Sequence, residues 1–170
     1  MEPGSGQSAW RLRGVWTCRS RWSEMRMMWS CVTLVVVAAL VGTSSGKVYT
    51  KCELAKVLTN TYHMSRTLVK NFVCIAQYES GFNTAASNKN TNGSKDYGIF
   101  QINDMYWCIG GIKTTSNYCK LQCSNLLNSN IGDDVACAKT IYNRQGFKAW
   151  YAWKAHCEKQ DLDKYIAGCF

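Results

Sequence analysis

The chain has 170 residues, ten of them cysteine, and a formal net charge of +9 from 20 Lys and Arg against 11 Asp and Glu. Its basic residues from Lys47 onward stand singly rather than in runs, which argues against a nucleic-acid groove. With only two histidines and no Cys-x-x-Cys pair, a structural zinc site is also disfavoured.

Residues 25–46 read "MRMMWSCVTLVVVAALVGTSSG": Arg26 supplies a charge, Cys31 to Val41 an apolar stretch, and Ser44 with Gly46 the small residues preferred at a signal-peptidase site. The apolar part is shorter than the roughly 20 residues of a membrane span, so a secretory signal is expected rather than an anchor. On this reading residues 1–46 form a removed leader, and residues 1–24 lie upstream of the signal core. What remains, Lys47 to Phe170, holds 15 Lys and Arg against 9 Asp and Glu, a net +6. It is uninterrupted by repeats or low-complexity linkers and has the size of one domain, able to bury roughly two thirds of its unfolded surface. A secreted cation of this kind concentrates near anionic polymers such as bacterial envelopes. Eight cysteines fall in this region: Cys52, Cys74, Cys108, Cys119, Cys123, Cys137, Cys157 and Cys169. Behind a signal peptide, an even count argues for four disulfides, but spacing alone does not choose the pairs.

Helical periodicity appears first over Cys52 to Thr59. It returns after Ser65, a suitable N-cap, with Leu68, Val69, Phe72, Val73 and Ala76 at core-facing spacing. This second helix is expected to end near Glu79, with Gly81 as its left-handed stop. The stretch that follows is rich in Asn, Ser and Gly; Asn92-Gly93 signals a hairpin, and Tyr97, Ile99 and Ile102 suit strands. Trp107 to Gln122 reads as loop. Helices are expected again over Asp133 to Tyr142 and Lys148 to Glu158, the latter with Trp150 and Trp153 on one side. Helices flanking a small antiparallel sheet make an α+β domain, with a sheet lobe inserted between helical parts.

Two carboxylates stand out. Glu79 occupies the end of a helix, where the dipole disfavours an anion, and Asp96 lies on the strand leaving the Asn92-Gly93 turn. Singly, each is an ordinary surface or turn residue. Together, in unlike surroundings, they suit glycosidic bond cleavage: one carboxyl stays protonated to donate to the leaving oxygen, and the other is ionised to meet a cationic sugar.

The stretches "YESGFNT", "NTNGSKDYGIFQIN", "YWC" and "AWYAWKAHC", with the eight cysteine positions, resemble the animal c-type (chicken-type) lysozymes over the whole span from "KVYTKCEL" to Cys169. The wording "GSKDYGIFQIND" is similar to the insect branch. The resemblance implies a lysozyme-like fold with a cleft between two lobes and retaining hydrolysis of the β-1,4 link between N-acetylmuramic acid and N-acetylglucosamine. Glu79 would be acid and then base, and Asp96 nucleophile or electrostatic stabiliser. It matches Trp150 to the ring beside the acid, and Asn90, Ser94 and Asn103 to the groups around Asp96. For sugar binding it matches the aromatic residues Tyr106, Trp107 and Trp150, together with Asn90, Gln101, Asn103 and the backbone of Ala149. Many vertebrate members carry Trp where this chain has Tyr106. Trp153 is read as core packing. The implied disulfides are Cys52 with Cys169, Cys74 with Cys157, Cys108 with Cys123, and Cys119 with Cys137.

The implied partner is bacterial peptidoglycan, with chitin oligosaccharides as weaker substrates. No cofactor, nucleic acid or membrane anchor is implied, and a secreted monomer is expected. Some relatives bind calcium before the helix at Asp133. Here Asn125, Asn128, Asn130, Asp133 and Asp134 match that ligand set, with Asn128 replacing a carboxylate, although paired Asp at a helix start is also ordinary capping chemistry. Rival readings are a non-catalytic lysozyme-like binding protein, carbohydrate-binding or calcium-binding, and a cation that disrupts envelopes by charge alone. Keeping both Glu79 and Asp96 speaks against the former.

Overall fold

Helix α1 (Lys51–Asn60) begins in a capping box: the Thr50 hydroxyl accepts from the Glu53 N–H, and the Glu53 carboxylate accepts from the Thr50 N–H. The computed structural model describes residues 45–111 and 113–170; all of the expected leader but its last two residues, Ser45 and Gly46, lies outside them. Leu54, Ala55 and Leu58 form the buried face of α1. Helix α2 (Arg66–Ser80) is capped by the Ser65 hydroxyl, which accepts from the Leu68 N–H. Val69, Phe72, Val73 and Ala76 are buried at helical spacing, whereas Leu68 packs only at the core's edge. Gly81, at φ 59°, ends α2: its N–H bonds the Gln77 carbonyl and the Phe82 N–H bonds that of Ala76. This left-handed turn satisfies the last carbonyls and places Glu79 in the helix's final turn.

The sheet follows, with strands β1 (Ser87–Lys89), β2 (Lys95–Tyr97) and β3 (Ile102–Asn103) antiparallel in the order β1-β2-β3. The hairpin falls where Asn92-Gly93 signals it but is wider than a two-residue turn. Asn90 pairs with Ser94, the Gly93 N–H bonds the Asn90 carbonyl, and Gly93, unlike Asn92, has a positive φ. A loop of this length ends in a left-handed glycine. Ile99, expected on a strand, instead lies fully buried in the tight turn between β2 and β3. Gly98 makes that turn possible. Its φ is +76°, and a Cβ there would fall 2.3 Å from the Leu126 carbonyl oxygen and 2.4 Å from an Asp134 carboxyl oxygen.

Beyond the sheet, loops run to Gln122, tied by a bridge between Ile109 and Gln122, and a 3-10 turn covers Cys123–Leu127. Helix α3 (Gly132–Gln145) starts and ends somewhat outside the expected 133–142. The helix expected over 148–158 is broken. A 3-10 turn (Phe147–Ala149) leads to an extended Trp150, and only then does α4 (Tyr151–His156) begin, followed by α5 (Leu162–Tyr165). The break lets the Trp150 indole enter the core, where its Nε1–H donates to the Phe100 carbonyl at 3.0 Å. Its ring meets Phe72 edge-on at 5.5 Å. Trp153 is half-buried, stacked on Phe147, and donates through Nε1 to Asn71.

Four disulfides join Cys52 to Cys169, Cys74 to Cys157, Cys108 to Cys123 and Cys119 to Cys137, the same pairs that the resemblance implies. The second fastens α2 to the residue that follows α4. Replacing Cys74 and Cys157 together by Ala lowers stability by about 2–4 kcal/mol, measured by guanidinium chloride unfolding. A change below about 1 kcal/mol would show that packing alone holds these helices together.

Candidate active site

Glu79 is fixed from three sides. The left-handed turn at Gly81 stops its helix, Ser80 donates to the Ile99 carbonyl at 2.7 Å and so ties the helix end to the sheet, and the Ala152 N–H donates to Glu79 Oε1 at 3.3 Å. Ala152 lies in the first turn of α4, directly after the break at Trp150. Burial pushes the Glu79 carboxyl above the ordinary carboxylate range; the Ala152 N–H opposes the shift, and the negative charge of Asp96 adds to it. Desolvation is the largest of the three, so the proton is held mainly by lack of water.

Asp96 has different company. It occupies the middle strand, opposite Asn88 on β1 and Asn103 on β3. Each of its oxygens accepts one amide hydrogen bond, Oδ2 from Asn90 Nδ2 at 2.8 Å and Oδ1 from Asn103 Nδ2 at 2.6 Å. Both amides also reach the buried Ser94 hydroxyl, which in turn donates to Asn92 Oδ1 at 2.8 Å. The Asn-Gly hairpin thus positions Asp96 through a relay: Asn92 orients Ser94, and Ser94 aligns the two amides. Two carboxyls near enough to affect one another, one desolvated and one held by amides, can divide acid and nucleophile roles.

The other residues singled out from sequence have different surroundings. Asn90 and Asn103 serve Asp96 directly, whereas the Gln101 amide donates to the Ala86 and Gly98 carbonyls and braces the turn. Ala149 is exposed and Trp150 buried in the core. Tyr106 is half exposed, and Trp107 is nearly buried with its ring 5.7 Å from that of Tyr118. Tyr106, Trp107, Tyr118, Arg144 and Gln145 line one open pocket of about 370 Å³. Tyr118, Arg144 and Gln145 escape sequence reasoning because the loop and α3 meet only in three dimensions. Asp104 escapes too: it looks like a surface residue but is buried, accepting from the Lys95 N–H and the Tyr97 hydroxyl.

A model of the C-type lysozyme/alpha-lactalbumin family matches residues 47–169. Lysozyme c-1 of Anopheles gambiae is 48% identical over 137 residues, which cover 81% of this chain and 95% of that protein. Lysozyme C of Penaeus merguiensis is 43% identical over 145 residues, covering 81% of this chain and 90% of that protein. Among solved structures, a lysozyme from Litopenaeus vannamei matches with a TM-score of 0.69 at 45% identity, covering 73% of this chain and 98% of that one.

The five residues matched to a calcium set do not fit one. The Asn128 amide donates to the Asn125 carbonyl at 2.7 Å, taking up an oxygen that a cation would need, and the Asn128 and Asn130 side-chain oxygens accept from the backbone N–H groups of Asn130 and Gly132. Asp133 is exposed while Asp134 is fully buried against Gly98. Among the described residues, no group of three His, Cys, Asp or Glu gathers to hold an ion. Burial pushes the Asp134 carboxyl up to about 8; the N–H groups of Asp134 and Ile99 oppose this without forming a well-aligned hydrogen bond to it. At pH values below 3.8 both folded and unfolded chains hold this proton. Between 3.8 and about 8 only the folded chain does, so stability falls as pH rises, and above about 8 the loss is complete. Asp134→Asn, uncharged and of the same shape, therefore raises the melting temperature above about pH 8 and leaves it unchanged near 3.8, measured by calorimetry. An equal effect at both ends would mean that the carboxyl titrates alike in the folded and unfolded chains.

Proposed function

The chain belongs to the C-type lysozyme/alpha-lactalbumin family, and on that premise we propose that it is a secreted lysozyme cleaving the β-1,4 bond between N-acetylmuramic acid and N-acetylglucosamine of bacterial peptidoglycan with retention. It is a glycoside hydrolase, and the observation that carries the finer reading is the unlike environment of its two carboxyls. In the first step Glu79 gives its proton to the glycosidic oxygen as the bond to the anomeric carbon breaks, and Asp96 attacks that carbon to form a glycosyl ester. In the second step water enters, Glu79 takes its proton, and the ester bond to Asp96 breaks to release the sugar. Tyr106 and Trp107 supply flat apolar faces for sugar rings, and Ala149 is exposed for backbone contact. The net charge of +6 over residues 47–170 supports antibacterial defence over digestion, because it draws the protein to anionic envelopes. No helix among the described residues is long and apolar enough to cross a membrane.

Glu79→Gln keeps the shape of the site and removes the proton donor. Clearing of bacterial cell walls should fall by at least about a hundredfold while binding to them persists. Unchanged clearing would leave envelope disruption by charge as the better account. The raised Glu79 carboxyl also fixes the alkaline limb of the rate profile: activity declines as pH rises through its folded value, above the ordinary range for Glu. A profile of soluble-substrate hydrolysis against pH checks this, and an alkaline limb at an ordinary carboxylate value would remove Glu79 from the acid role.

A further inference from the structure

The pocket beside Trp107 contains a feature that the two carboxyls do not need. Arg144, in the last turn of α3, holds its guanidinium carbon 4.1 Å from the centroid of the Tyr118 ring, and that ring lies 5.7 Å from the ring of Trp107. A cation at a helix C-terminus is ordinary dipole chemistry, but that alone asks nothing of Tyr118. Among the described residues Arg144 enters no ion pair, so its charge faces the pocket uncompensated.

The pocket's walls are also locked together. The N–H groups of Tyr118 and Cys119 donate to the Tyr106 and Trp107 carbonyls, setting the Tyr118 loop against the aromatic segment. Cys119 is bonded to Cys137, which lies on α3 about two turns before Arg144. One disulfide therefore indexes the ring and the guanidinium that rests on it. The result is a pair of aromatic rings tilted at 54° to one another, with a planar, permanently charged fork over the face of one of them. Aromatic faces take the apolar faces of sugar rings, and a guanidinium fork matches a carboxylate in its own plane.

We propose that Arg144, seated on Tyr118, is a specificity-determining residue that selects carboxylate-bearing glycan strands over uncharged ones. This rests on the hydrolase reading above and adds a substrate preference to it. Peptidoglycan carries lactyl groups on alternate sugars and free carboxylates on its peptide stems; chitin carries neither. Both offer similar sugar faces to Tyr106 and Trp107, and the carboxylates carried by one of them are what a guanidinium beside those rings can tell apart.

The test compares kcat/KM on a soluble peptidoglycan fragment, on the same fragment with its carboxyls amidated, and on a chitin oligomer. Arg144→Ala should lower the fragment-to-chitin ratio by about threefold and Arg144→Glu by about tenfold, and amidation of the fragment should abolish both effects. Tyr118→Phe keeps the ring and should keep the ratio, whereas Tyr118→Ala should lower it. Lys159→Glu, with the same charge change at an exposed position outside the pocket, controls for general attraction to a polyanion. Melting curves for each variant separate misfolding from altered preference. If Arg144→Glu changes all three substrates alike, or acts no more strongly than Lys159→Glu, the proposal is overturned. If the unaltered protein hydrolyses none of the substrates, the failure lies in the hydrolase reading and the preference falls with it.

Discussion

The packing around Phe72 is the constraint on which the molecule depends. Its ring, fully buried in α2, meets Phe100, Tyr142, Phe147 and Trp150 edge-on at centroid distances of 5.4 to 6.3 Å. These four rings come from the turn between β2 and β3, from α3, and from the segment before α4. Each edge-on pair adds a directional preference to its share of buried area, so the cluster sets angles as well as contacts. Once Trp150 has turned inward to join it, α4 must start at Tyr151, and the N–H of Ala152 arrives at Glu79. A core contact thus determines the surroundings of a carboxyl that is not itself part of the core.

Three carboxyls in this molecule illustrate how environment divides a single chemistry. Glu79 is desolvated but retains one donor, Asp96 is half-buried with an amide on each oxygen, and Asp134 is sealed beside a glycine without a well-formed hydrogen bond to either oxygen. For Glu79 and Asp134 the loss of water, more than any nearby charge, raises the carboxyl. Asp134 bears on calcium as well. Its carboxyl is buried against Gly98, whereas the adjacent Asp133 is exposed.

The features legible in the sequence were those with local causes. Ser65 and Gly81 mark helix ends by capping chemistry that needs no distant partner, and the Asn92-Gly93 turn announces its hairpin. Glu79 and Asp96 stood out because each sits beside one of these markers. Features with distant causes were not legible. The apolar spacing over 148–158 continues smoothly through Trp150, and only the pull of Phe72 and Phe100 explains why the helix breaks there. Ile99 has strand-forming chemistry but follows a glycine pressed against Leu126 and Asp134, residues far along the chain. Asp104 and the Arg144–Tyr118 stack depend in the same way on loops whose meeting no local pattern encodes.

The bond between Cys52 and Cys169 closes the backbone into a single ring across a sequence separation of 117. Any one cut inside that ring opens it without releasing a piece. At the exposed loop near Gly111, three disulfides, Cys52–Cys169, Cys74–Cys157 and Cys108–Cys123, still span the break. A protease acting there converts one chain into two but leaves one particle, with Glu79 and Asp96 on the same fragment. In fluids rich in proteases, backbone integrity and the integrity of the folded molecule become separate properties.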